Sequence, residues 1–119
     1  MPELRTTSDL VPTARHEGDA LFITVRGEID LHSSPDLRTD LLGLLQKTGA
    51  QRLILNLEGV PYMDSSAIAV LVEALQKLRK TGGKVILTNL QPRVKGLLEI
   101  ARLNSIFGIA TDEADALTK

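Results

Sequence analysis

The sequence predicts an α/β protein: a mixed, mostly parallel central sheet with an N-terminal β-hairpin and about four helices packed on it. Two observations predict this class. Short apolar runs alternate along the chain with longer segments in which apolar residues recur at helical spacing, and turn residues separate the two types. A chain of 119 residues with 43% hydrophobic content suits one core. We therefore expect a single domain over residues 1–119, with its folded core at about 10–117.

A hairpin and a first helix come first in the chain. The apolar alternation at residues 21–25 predicts a strand, and Gly18 predicts the turn that joins it to a preceding strand near residues 10–16. Ser34 then fits the cap of a helix, because the proline that follows it suits a first turn. Leucines at helical spacing follow from Leu37 to Leu45, and Thr48-Gly49 predicts the end of this helix.

The second half of the chain continues the alternation of strands and helices. Its predicted elements are a strand at 52–57, a helix at 66–80, a strand at 84–88, a helix from 92 to about 103, a short apolar segment at 106–110 and a last short helix capped at 111–113. The strand at 52–57 is almost entirely apolar, as expected of a strand covered on both faces.

Composition restricts the classes of partner and chemistry. Fourteen basic and fifteen acidic residues give a net charge of −1, which provides no field to gather nucleic acid or an anionic membrane. The chain has no cysteine, so only His16 and His32 could offer metal ligands besides carboxylates, and we expect no metal and no cofactor. No apolar run approaches the ~20 residues needed to cross a bilayer. The N-terminus also lacks the apolar centre of a secretory signal, so we expect a cytoplasmic protein without membrane insertion.

The most informative segment is residues 60–67, Val-Pro-Tyr-Met-Asp-Ser-Ser-Ala, where a polar step separates an apolar strand from a helix. A hydroxyl at such a helix start is exposed and lies beside backbone N–H groups that have no partner within the helix. This environment tolerates an added phosphate. The local sequence by itself favours a simpler role, in which Asp64 or Ser65 caps the helix.

The helix at 66–80 divides into two faces when its residues are placed 100° apart around the axis. The side assigned to the sheet contains Ile68, Leu71, Val72, Leu75 and Leu78. The opposite side contains Ser66, Ala69, Val70, Glu73, Gln76, Lys77 and Lys80. The first two turns of this opposite side are small and apolar, so we expect an exposed docking surface there. The predicted partner-binding residues are Ser66, Ala69, Val70 and Glu73.

These segments resemble the anti-sigma factor antagonists, small bacterial proteins of the STAS domain family. The resemblance rests on Leu-Asn-Leu-Glu-Gly-Val at 55–60, Met-Asp-Ser-Ser-Ala-Ile at 63–68 and Gly-Gly-Lys-Val at 82–85, with weaker support at 25–30 and 92–98. In that family an anti-sigma factor that is also a serine kinase phosphorylates the serine directly after the aspartate. The unmodified antagonist binds this kinase and frees the sigma factor.

The resemblance implies a STAS domain that is a regulator and not an enzyme. It implies phosphorylation of Ser65 by an anti-sigma factor serine kinase, with Asp64, Ser66 and Asp30 close to the acceptor hydroxyl. Many members have Gly where this chain has Ala67, and since Ala favours helices, the helix start should still form. A monomer is expected, and the sequence leaves open whether a phosphoserine phosphatase is a further partner.

Two other classes of function remain open at the level of sequence. A scaffolding STAS module in a larger signalling assembly of the stressosome type, or in a transport assembly, would use the same helix face as a permanent interface and Ser65 only as a cap. An enzyme would use Asp30, His32 and Asp64 as acid–base groups beside the serine. Nothing in the sequence supplies an oxyanion or metal arrangement that would complete such chemistry.

Overall fold

Within residues 3–6 and 8–119, which the computed structural model describes, five strands form one sheet whose spatial order follows the order along the chain. The strands are β1 (Thr13–Glu17), β2 (Ala20–Arg26), β3 (Arg52–Gly59), β4 (Lys84–Thr88) and β5 (Gly108–Ala110). Strand β1 pairs antiparallel with β2, and all later neighbours pair parallel. The predicted hairpin and the mostly parallel sheet are confirmed.

The helices of the described chain are α1 (Ser34–Thr48), α2 (Ser65–Arg79), α3 (Pro92–Ile100) and α4 (Glu113–Ala116). The cap of α1 is Ser33 and not the predicted Ser34, because the N–H of Ser34 already donates to the carbonyl of Asp30 at 2.8 Å. Helix α3 ends three residues before the predicted position. Soon after its end, Arg102 adopts a left-handed backbone with φ of 58°, a conformation that a helix cannot continue through.

Side chains alternate between the two faces of the sheet, and each face has its own helices. Leu53 and Leu55 of β3 join the main core, together with buried residues of α1, α2 and α3. Ile54, between them, points to the other face and packs in a smaller cluster with Phe22 of β2 and Ala116 of α4. Strand β3 is therefore covered on both faces, as its apolar run predicted.

Helix α2 buries a different arc from the predicted one. Its buried residues are Ala67, Val70, Leu71, Ala74, Leu75 and Leu78. Val70 is only 5% exposed, so the prediction that it lies on an exposed docking face is wrong, whereas Ile68 and Val72 are only half-buried. The prediction was based on large apolar side chains. Ala67 and Ala74, both fully buried, lie at the centre of the true arc, and small side chains allow a helix to pack closely.

The parallel strands β2, β3 and β4 all end at one edge of the sheet. The loops at 27–33 and 60–64 leave from this edge and lead into α1 and α2. Sites in open α/β sheets form outside the carboxyl ends of the strands. The topology thus brings the polar segment before α2 to the same edge as the loop that follows β2.

Candidate functional site

Backbone hydrogen bonds join the two loops at this edge. Ile29 and Met63, both buried, form an isolated parallel bridge beyond the ends of β2 and β3. The N–H of Ile29 donates to the carbonyl of Tyr62 at 3.1 Å. The N–H of Asp64 in turn donates to the carbonyl of Ile29, also at 3.1 Å. The bridge fixes the loop that carries Asp30 beside the start of α2.

Asp64 is the N-cap of α2. Its backbone is extended, and its carboxylate accepts the N–H of Ser66 at 2.9 Å and also the Ser66 hydroxyl. Its backbone carbonyl accepts the N–H groups of Ala67 and Ile68, both at 3.2 Å. The hydrogen bond from the Ser66 hydroxyl is the main cause that lowers the pKa of Asp64, so this carboxylate is ionised at neutral pH. The capping interpretation is confirmed for Asp64.

Ser65 is the first residue of α2 and is exposed. Within the described residues its hydroxyl makes no hydrogen bond, whereas the hydroxyl of the half-buried Ser66 is bound to Asp64. Ser65 also lies where the N–H groups and macrodipole of the helix create a positive potential. Two adjacent serines therefore differ: Ser65 is exposed and its hydroxyl has no hydrogen-bond partner among the described residues, whereas the Ser66 hydroxyl is part of the helix cap.

Asp30 orders the loop that follows β2. Its carboxylate accepts the N–H of His32 at 2.9 Å and the N–H of Ser33 at 3.1 Å. The hydrogen bond from the Ser33 N–H is the largest cause of the lowered pKa of Asp30. The bridge at Ile29 brings Asp30 to the edge of the site, but within the described chain its hydrogen bonds are to its own loop and not to Ser65.

The exposed side of α2 next to Ser65 is smaller than predicted. Ser66 is half-buried and Ala69 is exposed. Glu73 is held by Arg38 of α1 through two nitrogen–oxygen contacts of 2.7 Å. This hydrogen-bonded ion pair lowers the pKa of Glu73 and raises that of Arg38. Of the four predicted partner-binding residues, Ala69 is exposed, Ser66 and Glu73 are half-buried, and Val70 is buried.

Leu31 is a residue of this region that the sequence reasoning missed. This residue is 73% exposed, and it lies in the loop that the bridge joins to the segment before α2. The available signal was a single aliphatic residue between Asp30 and His32, in a loop where polar side chains are expected.

Within the described chain, the side chains of Asp30, His32 and Asp64, which were considered for an enzyme, form no hydrogen bond with one another. His32 is exposed, and the hydrogen bond recorded for it in the described chain runs from its backbone N–H to Asp30. Among residues 3–6 and 8–119, no group of three His, Asp or Glu side chains is placed to hold a metal ion. None of the helices there combines the length and the apolar character needed to span a bilayer.

Comparison with known proteins points to one family. Residues 11–116 match the model of the STAS domain. The anti-sigma-B factor antagonist of Bacillus subtilis (strain 168) is 34% identical over 100 residues, which cover 84% of this chain and 89% of the relative. The anti-sigma F factor antagonist of Paenibacillus polymyxa is 28% identical over 104 residues, which cover 87% of this chain and 89% of the relative.

Solved structures share the fold. The anti-sigma factor antagonist SpoIIAA in its unphosphorylated form matches with a TM-score of 0.75 and 24% identity, over 87% of this chain and 90% of that chain. The phosphorylated form of Bacillus SpoIIAA matches with a TM-score of 0.67 and 23% identity, over 88% of this chain and 95% of that chain. With a family match that spans residues 11–116 and a curated relative at 34% identity, the chain belongs to the STAS domain family, as its motifs predicted.

Proposed function

We propose that this protein is an anti-sigma factor antagonist that binds an anti-sigma factor kinase while it is unphosphorylated and thereby frees a sigma factor. Two relatives with that name, each aligned over 89% of its length, support the class of function. The observation that carries the switch is the exposed Ser65 hydroxyl, which makes no hydrogen bond in the described chain. Phosphorylation of Ser65 by the same kinase would end the binding. The protein would act as a monomer in the bacterial cytoplasm.

The switch would act through local charge. A phosphoserine carries about −1.5 to −2 charges at neutral pH. The N–H groups at the start of α2 favour an anion, while the ionised carboxylates of Asp64 and Asp30 oppose it. A partner seated over Ser65 must either face the added charge or strip water from the phosphate, and both are unfavourable. The complex would therefore dissociate without unfolding of the antagonist.

Selectivity for Ser65 over its neighbour would follow from the cap of α2. To transfer a phosphate to Ser66, a kinase would have to break the hydrogen bond between the Ser66 hydroxyl and Asp64 and disturb the helix start. Ser65 requires no such rearrangement.

The phosphorylation site can be tested by intact-mass analysis after incubation with ATP and each candidate anti-sigma factor kinase of the source genome. Wild type and the matched control Ser66→Ala should each gain one phosphate, and Ser65→Ala should gain none. A phosphate on Ser65→Ala would refute the assignment. Absence of phosphate on wild type with every kinase would refute the switch and favour the scaffolding module.

Binding tests the mechanism of release. Ser65→Ala should bind the kinase as tightly as unmodified wild type, because neither carries a charge at this position. Ser65→Asp should bind about tenfold more weakly or worse, because like charges and buried unpaired charges are costly in an interface. Equal dissociation constants for all three proteins would show that charge at Ser65 does not control binding.

A further inference from the structure

One large aliphatic residue is exposed to solvent in the loop that is hydrogen-bonded to the start of α2. Three such residues are strongly exposed in the described chain: Leu31, Ile100 and Leu117. Leu31 is 73% exposed and lies in the loop hydrogen-bonded to the segment that starts α2. Ile100, which is 84% exposed, ends α3. Since α3 runs from the carboxyl end of β4 to the amino end of the parallel strand β5, Ile100 lies at the opposite edge of the sheet.

The backbone that carries Leu31 is fixed on both sides. Before it, Ile29 is buried and exchanges two backbone hydrogen bonds with Tyr62 and Asp64. After it, the carboxylate of Asp30 accepts the N–H groups of the next two residues, at 2.9 and 3.1 Å. The N–H of Leu31 itself lies near the carboxylate of Asp64 and adds to the lowering of that pKa, after the larger contribution of Ser66. The leucine is thus presented to solvent by an ordered loop.

We propose that Leu31 is an apolar anchor of the surface that binds the anti-sigma factor kinase, and that it inserts into an apolar pocket of the kinase beside Ser65. This inference rests on the proposed function, since it names a further residue of the same surface. Exposed leucines are common on protein surfaces when taken singly. What distinguishes Leu31 is its attachment to the helix start that carries Ser65. In the first two turns of α2, Ala69 is exposed, whereas Val70 is buried in the core.

The anchor also explains why a phosphate at Ser65 would be so effective. When Leu31 enters an apolar pocket, water is excluded from the neighbouring helix start. A phosphate on Ser65 would then lose hydration that an apolar surface cannot replace. The same contact provides affinity to the unmodified protein and makes the complex sensitive to phosphorylation.

The test compares Leu31→Ala, Leu31→Met and Ile100→Ala with wild type, using the kinase that phosphorylates Ser65, and measures each dissociation constant. Leu31→Ala should bind about tenfold more weakly or worse, the effect of losing most of a buried aliphatic side chain. Leu31→Met and the matched control Ile100→Ala should stay within about twofold of wild type. Because Leu31 is exposed, its variants should unfold at the same temperature as wild type.

The outcomes separate this inference from the proposed function. If wild type binds the kinase and is phosphorylated on Ser65, but Leu31→Ala binds within twofold of wild type, the anchor is overturned and the function stands. An equal loss in Ile100→Ala would overturn it too, because the effect would not be specific to this loop. If wild type neither binds nor is phosphorylated by any candidate kinase, both proposals fail.

Discussion

Asp64 forms hydrogen bonds with one of the two adjacent serines at the start of α2, and this distinguishes the two residues. Its carboxylate accepts both the N–H and the hydroxyl of Ser66, which secures the start of α2. Ser65 keeps a hydroxyl that is accessible and, in the described chain, not hydrogen-bonded. At the residue scale, the two interpretations of the sequence are therefore compatible. The helix cap is Asp64, and the proposed phosphorylation site is Ser65.

We predict that Ser66→Ala raises the pKa of Asp64 towards its ordinary value, because the Ser66 hydroxyl is the largest cause of its lowering. Titration of the Asp64 carboxyl carbon by NMR measures this directly. Ser65→Ala is the matched control and should leave the titration close to that of wild type, since its hydroxyl does not bind Asp64 in the described chain. A larger change in Ser65→Ala than in Ser66→Ala would contradict the hydrogen-bond assignment.

The same carboxylate contributes to acid sensitivity. Because the pKa of Asp64 is lowered in the folded state, the ionised form stabilises the fold at pH values above the unfolded pKa of about 3.9. This contribution is lost as the pH falls through the lower folded pKa. The stability difference between wild type and Asp64→Asn should accordingly be full at pH 7 and shrink below about pH 4 in chemical unfolding experiments. A difference that grows on acidification would contradict the sign of the shift.

At the element scale, the rotation of α2 decides which residues a partner can reach. The helix and its approximate ends follow from the sequence, but its buried arc is centred near Ala67 and Ala74. This rotation removes Val70 from the predicted docking surface and leaves Ala69 exposed to solvent.

We predict that Val70→Ala lowers the free energy of unfolding by roughly 1–3 kcal/mol, the cost of deleting buried methyl groups and leaving a cavity. Chemical unfolding of the purified variant measures this. The neighbouring control Ala69→Gln should change stability by less than about 0.5 kcal/mol, because Ala69 is exposed. Equal stability of Val70→Ala and wild type would mean that the helix is rotated as the sequence pattern predicted.

At the scale of the whole molecule, the parallel sheet assembles the site from segments distant in sequence. The β2–β3 pairing is extended by the bridge between Ile29 and Met63, so the loop after β2 is fixed against the start of α2. The candidate site lies outside the carboxyl ends of the parallel strands. Its carboxylates, Asp30 and Asp64, are half-buried at the surface and not in the core.

We predict that phosphorylated protein keeps its fold. Its circular dichroism should match that of unmodified protein, and its unfolding midpoint should lie within about 4 °C, since a helix N-terminus accommodates an anion and Ser65 is exposed. The phosphorylated and unmodified forms can be compared in parallel thermal scans. Loss of helical signal in the phosphorylated form would indicate that the kinase is released because the antagonist unfolds, and not because of local charge.

The sequence by itself determined the order and type of the elements and the position of the Asp-Ser-Ser segment at the start of α2. Strand β4 at Lys84–Thr88 agrees with its predicted bounds, because an apolar run after two glycines specifies a local backbone conformation. Such patterns act over a few residues. The tertiary structure alone decided that Val70 is buried, that Glu73 pairs with Arg38 and that the loop carrying the exposed Leu31 is hydrogen-bonded to the segment before α2. These features depend on how α2 packs against the sheet and α1, and on which loops the sheet brings together. The spacing of residues along one segment does not specify such contacts between distant segments.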